Sequence, residues 1–441
     1  MKRRTFVKNT ALAAGALSFP NILRGGINQH NKINIGVIGC NGMGWSDTNS
    51  LLKMPEVDLV GICDVDEGVI AKRLMDYQKL RTNKPTQYGD YRELLNDKKL
   101  DAVVIGTPDH WHCKQMVDAV RAGKHVYVEK PVANTIEECG IMVDAARDTG
   151  KVVQTGQWQR SGPHYRKARE IVQSGVLGKI RVVKTWAYQG WMGAIPVVPD
   201  GPVPEGVDYK TWLGPAPARP FNQNRFHFNF RWFWDYAGGL MTDWGVHEID
   251  IALWIMEEKA PISVVASGGK LAFPDDASET PDTLQAIYQY KDFNMLWEHA
   301  TGIDYGPYGR REGIAFIGNN GTLVVDRSGL EVLVERESIG YSNKGEFKMS
   351  PVAPVTKPDA ENYLDMHTQN FVAAMKANDP GLLNTPIDSG SIAAINAQMG
   401  NIAFKTGEKV YWDQEAGKFK NNPEANQYLM ANYQNGWKVS R

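Results

Sequence analysis

Cysteine is scarce in this chain: four residues in 441, Cys40, Cys63, Cys113 and Cys139, all in the first third. Each falls in or beside a segment that reads as packed strand or helix. A disulfide framework is therefore not expected, and four buried thiols are the default. Long apolar runs are missing as well. No stretch carries eighteen uninterrupted apolar residues, so no membrane span is expected in the mature protein. Neither sign of charge prevails, with 49 basic and 50 acidic residues and a formal net charge of −1. Interspersed charges of that balance make no broad field for a polyanion, which argues against nucleic acid as a partner. Internal repeats and low-complexity tracts are also lacking, so solenoid and fibrous classes drop out.

What is present reads as two domains behind an address. Arg3-Arg4-Thr5-Phe6-Val7-Lys8, with the short, weakly apolar stretch Ala11 to Phe19, matches a twin-arginine export signal. Residues 1–31 are accordingly expected to be signal and linker, and the protein to be periplasmic or otherwise exported. Residues 32–156 alternate short apolar strands (Ile33 to Gly39, Val57 to Cys63, Ala102 to Gly106, His125 to Val128) with helical patterns. Asp90 with Glu93 and Thr135 with Glu138 read as capping boxes, and Gly123 as a helix stop. That rhythm implies a doubly wound parallel sheet of the Rossmann type. From residue 157 to 412 the pattern changes to α+β. A helix at Pro163 to Gln173 precedes a strand at Ile180 to Tyr188. A loop with seven prolines runs from Ile195 to Asn222. Several strands follow over 263–335, with a hairpin across Gly318-Asn319-Asn320-Gly321, and then two late helices. Residues 413–441 form a C-terminal tail.

The first turn, Gly39-Cys40-Asn41-Gly42-Met43-Gly44, follows a strand and opens a helix. Such a turn brings backbone close to a pyrophosphate and aims free helix N–H groups at it. Asn41 stands where a second glycine is usual. Asn tolerates left-handed backbone, and Gly42 supplies room. Asp64 ends the second strand, 25 residues after Gly39. A carboxylate there accepts the adenosine ribose hydroxyls and repels a 2′-phosphate, which favours NAD over NADP. The other reading of Asp64 is a plain helix-capping residue.

Two more segments lie at strand ends, where open parallel sheets bind ligands. These are Thr107-Pro108-Asp109-His110-Trp111-His112 and Glu129-Lys130-Pro131. A third, Gly238 to Asp250, places Asp243 and His247 four apart, on one face of a helix, with Asp250 able to orient the imidazole. The same spacing could hold a metal, but no third ligand stands at a convincing distance, so none is expected. The aromatic run Arg231-Trp232-Phe233-Trp234-Asp235-Tyr236 suits either core packing or the C–H faces of a sugar.

Together these motifs resemble the Gfo/Idh/MocA family of glucose–fructose oxidoreductase and inositol dehydrogenase. The resemblance rests on Gly39 to Gly44, the run ending in His112, Glu129-Lys130-Pro131, and Asp243 with His247. It implies a Rossmann domain followed by a domain with a large, mostly antiparallel open sheet, and a homo-oligomer, dimer or tetramer. It also implies an NAD(P)-dependent oxidoreductase acting on a carbohydrate CH–OH, with Lys130, Asp243 and His247 as the catalytic set. Cofactor contacts are expected from Gly39, Asn41, Gly42, Met43, Gly44, Asp64, Thr107, Pro108, His112, Glu129 and Lys130. Substrate contacts are expected from Trp158, Arg160, Trp232, Trp234 and Tyr236. Two other functions fit the same motifs: an NAD-dependent glycoside hydrolase working by transient oxidation and elimination, and a non-catalytic sugar- or cofactor-binding protein.

Overall fold

The computed structural model describes residues 32–358 and 361–440. The expected export signal at residues 1–31 lies outside the described residues.

The first domain is built on strands β1 (Ile33–Ile38), β2 (Val57–Cys63), β3 (Thr86–Tyr88), β4 (Ala102–Ile105), β5 (His125–Val128) and β6 (Val153–Thr155). They form one parallel sheet in the order β3-β2-β1-β4-β5-β6. Helices α1 (Gly42–Leu51), α2 (Glu67–Gln78), α3 (Tyr91–Leu95), α4 (Asp109–Arg121) and α5 (Ile136–Thr149) connect them. Every residue of β4 is buried, as expected of a central strand covered on both faces. All four cysteines are buried and unpaired with one another, as their neighbourhoods in the sequence imply. Gly123, at φ +80°, follows α4 and ends it. Of the two expected capping boxes, Asp90 does cap α3 by accepting from Arg92 N. Thr135 does not cap α5 in that way. Its hydroxyl instead donates to the buried Glu138 carboxylate at 2.9 Å.

The second domain opens with α6 (Pro163–Gln173) and β7 (Ile180–Gln189). It continues through short helices α7 (Tyr209–Leu213) and α8 (Gly239–Asp243) to α9 (Gly245–Met256). Next come β8 (Ser263–Gly269), β9 (Thr283–Gln289), β10 (Asn294–Thr301), β11 (Glu312–Gly318), β12 (Gly321–Asp326), β13 (Gly329–Val334) and β14 (Val355–Thr356). Helices α10 (Tyr363–Ala377) and α11 (Ile387–Thr406), strands β15 (Val410–Asp413) and β16 (Lys418–Phe419), and helix α12 (Pro423–Asn426) complete it. The sheet order is β14-β13-β12-β11-β7-β10-β9-β8-β15-β16. Within this sheet only β7 and β10 pair in parallel among the described strands, so the sheet is mixed and mostly antiparallel. Strand β9 alternates Leu284, Ala286 and Tyr288 inward with Gln285, Ile287 and Gln289 outward, the two-residue period of a one-sided sheet. Ile249, Leu253, Ala397 and Met399, from α9 and α11, share the core under that inner face with Trp297 and Phe316.

Two segments tie the domains together. In α10, Phe371 and Val372 pack into the first domain's core beside Ile35 and Leu59. Near the C-terminus, Trp437 meets Trp111 of α4 edge-on at 4.8 Å. The proline-rich loop carries its own small core of Tyr209, Trp212, Phe221, Phe226 and Tyr236. It is stitched to the first domain through Glu67 N to Gly206 O (3.0 Å) and Asp208 N to Val65 O (2.8 Å).

The glycine turn is the tightest point of the first domain. A Cβ on Gly44 would stand 2.0 Å from Gly39 O, and one on Gly106 would stand 2.4 Å from Gly44 Cα. Helix α1 thus rests directly on the ends of β1 and β4. Gly44→Ala must push that helix away. We expect it to lower stability by roughly 1–3 kcal/mol and to weaken dinucleotide binding, as read by thermal melting and NAD titration. An unchanged melting point together with unchanged affinity would refute this packing.

Candidate active site

A cavity of about 590 Å³ opens where the carboxyl ends of β1, β2, β4 and β5 meet the proline-rich loop. That volume is in the usual range for small-molecule sites, roughly 300–1,000 Å³. Its first-domain wall includes Gly39, Asn41, Gly42, Met43, Asp64, Thr107, Pro108, Glu129 and Lys130. Gly44 and His112, also expected to touch the cofactor, do not line it. Gly44 is pressed between Gly39 and Gly106. His112 is buried, with its ring nitrogens 2.7 Å from Pro131 O and 2.8 Å from Thr107 O, bracing the two loops that do line the cavity.

The geometry fits a dinucleotide. Gly39 has φ +77° and Gly42 φ +43°, and nothing lies within 4 Å of a Cβ placed on Gly42. The N-terminus of α1 therefore meets open space. The expected left-handed role of Asn41 is corrected here. Its φ is −85°, and it acts as the extended N-cap of α1, so the bend is made at Gly42 instead. Asp64 receives Cys40 N on one oxygen (2.8 Å) and Asp66 N on the other (3.2 Å). Cys40 Sγ also donates to the first oxygen, at 3.5 Å, so it is the oxygen facing Asp66 that keeps a lone pair for a ribose hydroxyl.

At the far end of the cavity, Lys130 reaches out from the end of β5. Its Nζ donates to Asp243 Oδ1 and to Asp243 O, both at 2.9 Å. Arg231 Nε donates to the same Oδ1 at 3.1 Å. Burial alone would raise the Asp243 carboxyl, but the two cations outweigh it and hold the group well below the usual carboxylate range. Asp109, at the start of α4 and in the cavity wall, goes the other way. Burial pushes it up to about 8, because Arg231 and Lys130 offset that penalty only in part. Glu129, pushed up to about 7, lies beside the fully buried Asp47 of α1, and that carboxyl is also raised by burial and by Glu129. Gly156 makes room for Glu129, since a Cβ there would stand 2.1 Å from its Oε1.

His247 is buried near the start of α9, with Trp158 and Trp244 edge-on at 6.0 and 6.1 Å. Its Nδ1 has no hydrogen-bond partner among the described residues. Burial, aided by Lys130 and Arg327, holds its pKa well below the usual value, so the ring is neutral at neutral pH. Asp243 and His247 do not share one unbroken helix. α8 ends at Asp243 and α9 begins at Gly245, with Trp244 between them. Asp250 does not orient His247. It forms a two-pronged ion pair with Arg160, Nε to Oδ2 at 2.8 Å and Nη2 to Oδ1 at 2.6 Å. Arg160 is thereby committed to a buried partner rather than to the cavity.

The aromatic run scatters over several environments. Tyr236 is wholly buried beside His110 and Trp212, whereas Trp234 packs under Lys405. Trp232 faces a separate pocket, and Trp158 alone of the expected aromatics approaches His247. The residues that the structure adds are Asp47, Asp109, Arg231, Trp212 and Phe228. Asp109 sits inside the run ending in His112, and Arg231 opens the aromatic run. Their roles depend on a contact between domains that spacing along the chain does not reveal.

The site and fold together define a two-domain, dinucleotide-dependent oxidoreductase. The chain belongs to the Gfo/Idh/MocA oxidoreductase family. Residues 33–157 match that family's NAD-binding Rossmann fold and residues 162–299 its C-terminal alpha/beta domain. The chain is 25% identical to the uncharacterized oxidoreductase YrbE of Bacillus subtilis over 67% of its own length and 74% of YrbE's. It is 34% identical to glycosyl hydrolase family 109 protein 1 of a Shewanella strain, over 34% of this chain and 33% of that protein. The match thus spans about a third of that relative's length. In fold it is similar to a levoglucosan dehydrogenase solved with NADH and levoglucosan. The TM-score is 0.64 at 18% identity, covering 87% of this chain and all of that one.

The raised Asp109 has a consequence for stability. Its folded pKa of about 8 lies above the roughly 3.9 of a free aspartate. The folded state therefore keeps a proton that the unfolded chain gives up. The stability linked to it is complete below about pH 4 and is lost as pH rises through 8. Melting curves of the wild type and Asp109→Asn at pH 5 and 8.5 check this. The wild type should lose more stability over the interval, the difference in slope not exceeding about 1.4 kcal/mol per pH unit. Equal losses would show that Asp109 is ionised throughout.

Proposed function

We propose that this chain oxidises or reduces a sugar or glycoside hydroxyl at the Lys130 end of the cavity, with NAD as its cofactor. The observation that carries the reading is the ammonium group of Lys130. Two of its three N–H bonds are taken by Asp243, and the third remains for a substrate oxygen in a cavity that Lys130 itself lines. Bound NAD would exchange hydride with the carbon bearing that oxygen. Lys130 stabilises the negative charge that gathers on the oxygen as its proton leaves. His247, neutral and with an unpartnered Nδ1, is the group able to take the proton. Asp243 keeps the lysine aimed, and Arg231 joins Lys130 in keeping Asp243 ionised.

Similarity to a sugar dehydrogenase and to a glycosyl hydrolase family 109 protein supports a carbohydrate substrate. The second similarity favours one alternative specifically, in which oxidation is transient and the glycosidic bond is then eliminated. Arg3-Arg4 and the apolar stretch behind them support export by the twin-arginine route. Val265 and Ile287, opposite each other and exposed on the outer face of the large sheet, support a homo-oligomer.

Lys130→Ala should lower turnover on the order of 10²–10⁴-fold while NAD still binds, read as the appearance of reduced nicotinamide on a panel of glycosides. Near-wild-type turnover would overturn the assignment. Product analysis of the wild type separates the two chemistries: a keto-sugar marks net oxidation, and free sugar plus aglycone marks elimination.

A further inference from the structure

Beyond Phe228 lies a second pocket, of about 250 Å³, which the reaction at Lys130 does not use. It is smaller than most free-standing ligand sites. It is also not free-standing, because Phe228 lines both it and the dinucleotide cavity. Phe228 is the wall that the two spaces share, and Arg231 connects that wall to Asp243. Arg231 donates to Asp243 at 3.1 Å and lies with its guanidinium carbon 4.7 Å from the Phe228 ring centre. The pocket sits at the carboxyl ends of β7 and β10, the one parallel pair, where Gln189 and Thr301 lie opposite each other.

Its lining is aromatic and polar at once. Trp191 and Phe228 stand 6.0 Å apart at 58°, forming an open corner, and Phe273 and Trp232 complete the apolar wall. Trp191 is 56% exposed and Phe228 51%. An indole so exposed gains little from packing, yet this one is pinned. Its Nε1 donates to Oε1 of the fully buried Gln189 at 2.6 Å. Asn229 and Thr301 also line the pocket, and their side chains make no hydrogen bond to the described residues. Rigid exposed rings beside free amide and hydroxyl groups match the two surfaces of a pyranose, C–H faces and hydroxyl edges. Neither surface suits a purely apolar or a strongly charged ligand.

We propose that this pocket binds a second pyranose ring of the substrate, so that the enzyme acts on a disaccharide or longer glycoside. The reacting ring lies at Lys130 and its neighbour against Trp191 and Phe228. This rests on the carbohydrate reading above, and it adds the size of the substrate and the residue that selects it.

Calorimetric titration of the NAD-loaded protein tests it without requiring turnover. Cellobiose, maltose, lactose and N,N′-diacetylchitobiose are compared with the methyl glycosides of their component sugars. At least one disaccharide should bind on the order of tenfold more tightly than its methyl glycosides, the contribution of one good aromatic contact. Trp191→Ala should abolish that preference and leave methyl glycoside binding unchanged, whereas Trp191→Phe should keep most of it. Equal affinities for all wild-type pairs, or a preference that survives Trp191→Ala, would overturn the subsite. Equal loss of both ligand classes in that variant would overturn it too. A Trp191-dependent disaccharide preference in a protein that turns over no glycoside would uphold the subsite and count against the proposed reaction instead.

Discussion

The structure of this site depends on one ion pair that joins the two domains. Lys130 comes from the end of a strand in the dinucleotide domain and Asp243 from a helix of the second domain, 113 positions further along the chain. Both side chains are mostly shielded from water, at 11% and 14% exposure. A buried lysine or aspartate on its own would pay a heavy desolvation cost. Paired, and joined by Arg231, they form a charged cluster that keeps its shape. That pairing leaves one ammonium N–H of Lys130 free in the cofactor cavity, and the lysine's charge adds to the burial that keeps the imidazole of His247 neutral.

Around this pair the charges are graded rather than uniform. Asp243 is held ionised by two cations. Asp109 is pushed up to about 8, and Glu129 is also raised, because burial prevails over the attraction of the same cations. One site thus holds carboxyls in opposite states near neutral pH, which is how a protein keeps proton donors and acceptors side by side. The proline-rich loop makes this possible. Its aromatic core roofs the cavity, and its backbone is stitched to the first domain at Val65 and Glu67. Burial beneath that core is what gives the charges their influence on one another.

The segments on either side of that loop carry features that the oxidoreductase chemistry leaves unused. Phe228 turns one edge to the dinucleotide cavity and another to the Trp191 pocket. A family fold held in common with proteins at 18% identity says little about which sugar is taken. Loops carry specificity while the sheet beneath them supplies the scaffold.

Local patterns decided a good deal by themselves. The strand-turn-helix at Gly39 to Gly44, Asp64 at the end of β2, and Lys130 at the end of β5 were legible because each follows from neighbours within a few residues. The helix at Pro163–Gln173 and the hairpin at Gly318 to Gly321 were legible for the same reason. The pairings of side chains were decided by the tertiary structure. Asp250 turned to Arg160 and not to His247, Trp234 and Tyr236 became packing, and Arg231 and Asp109 joined the site from runs that looked aromatic or merely helical. Periodicity states which face a residue occupies. Burial energy and charge, summed over partners a hundred residues away, determine what that face meets.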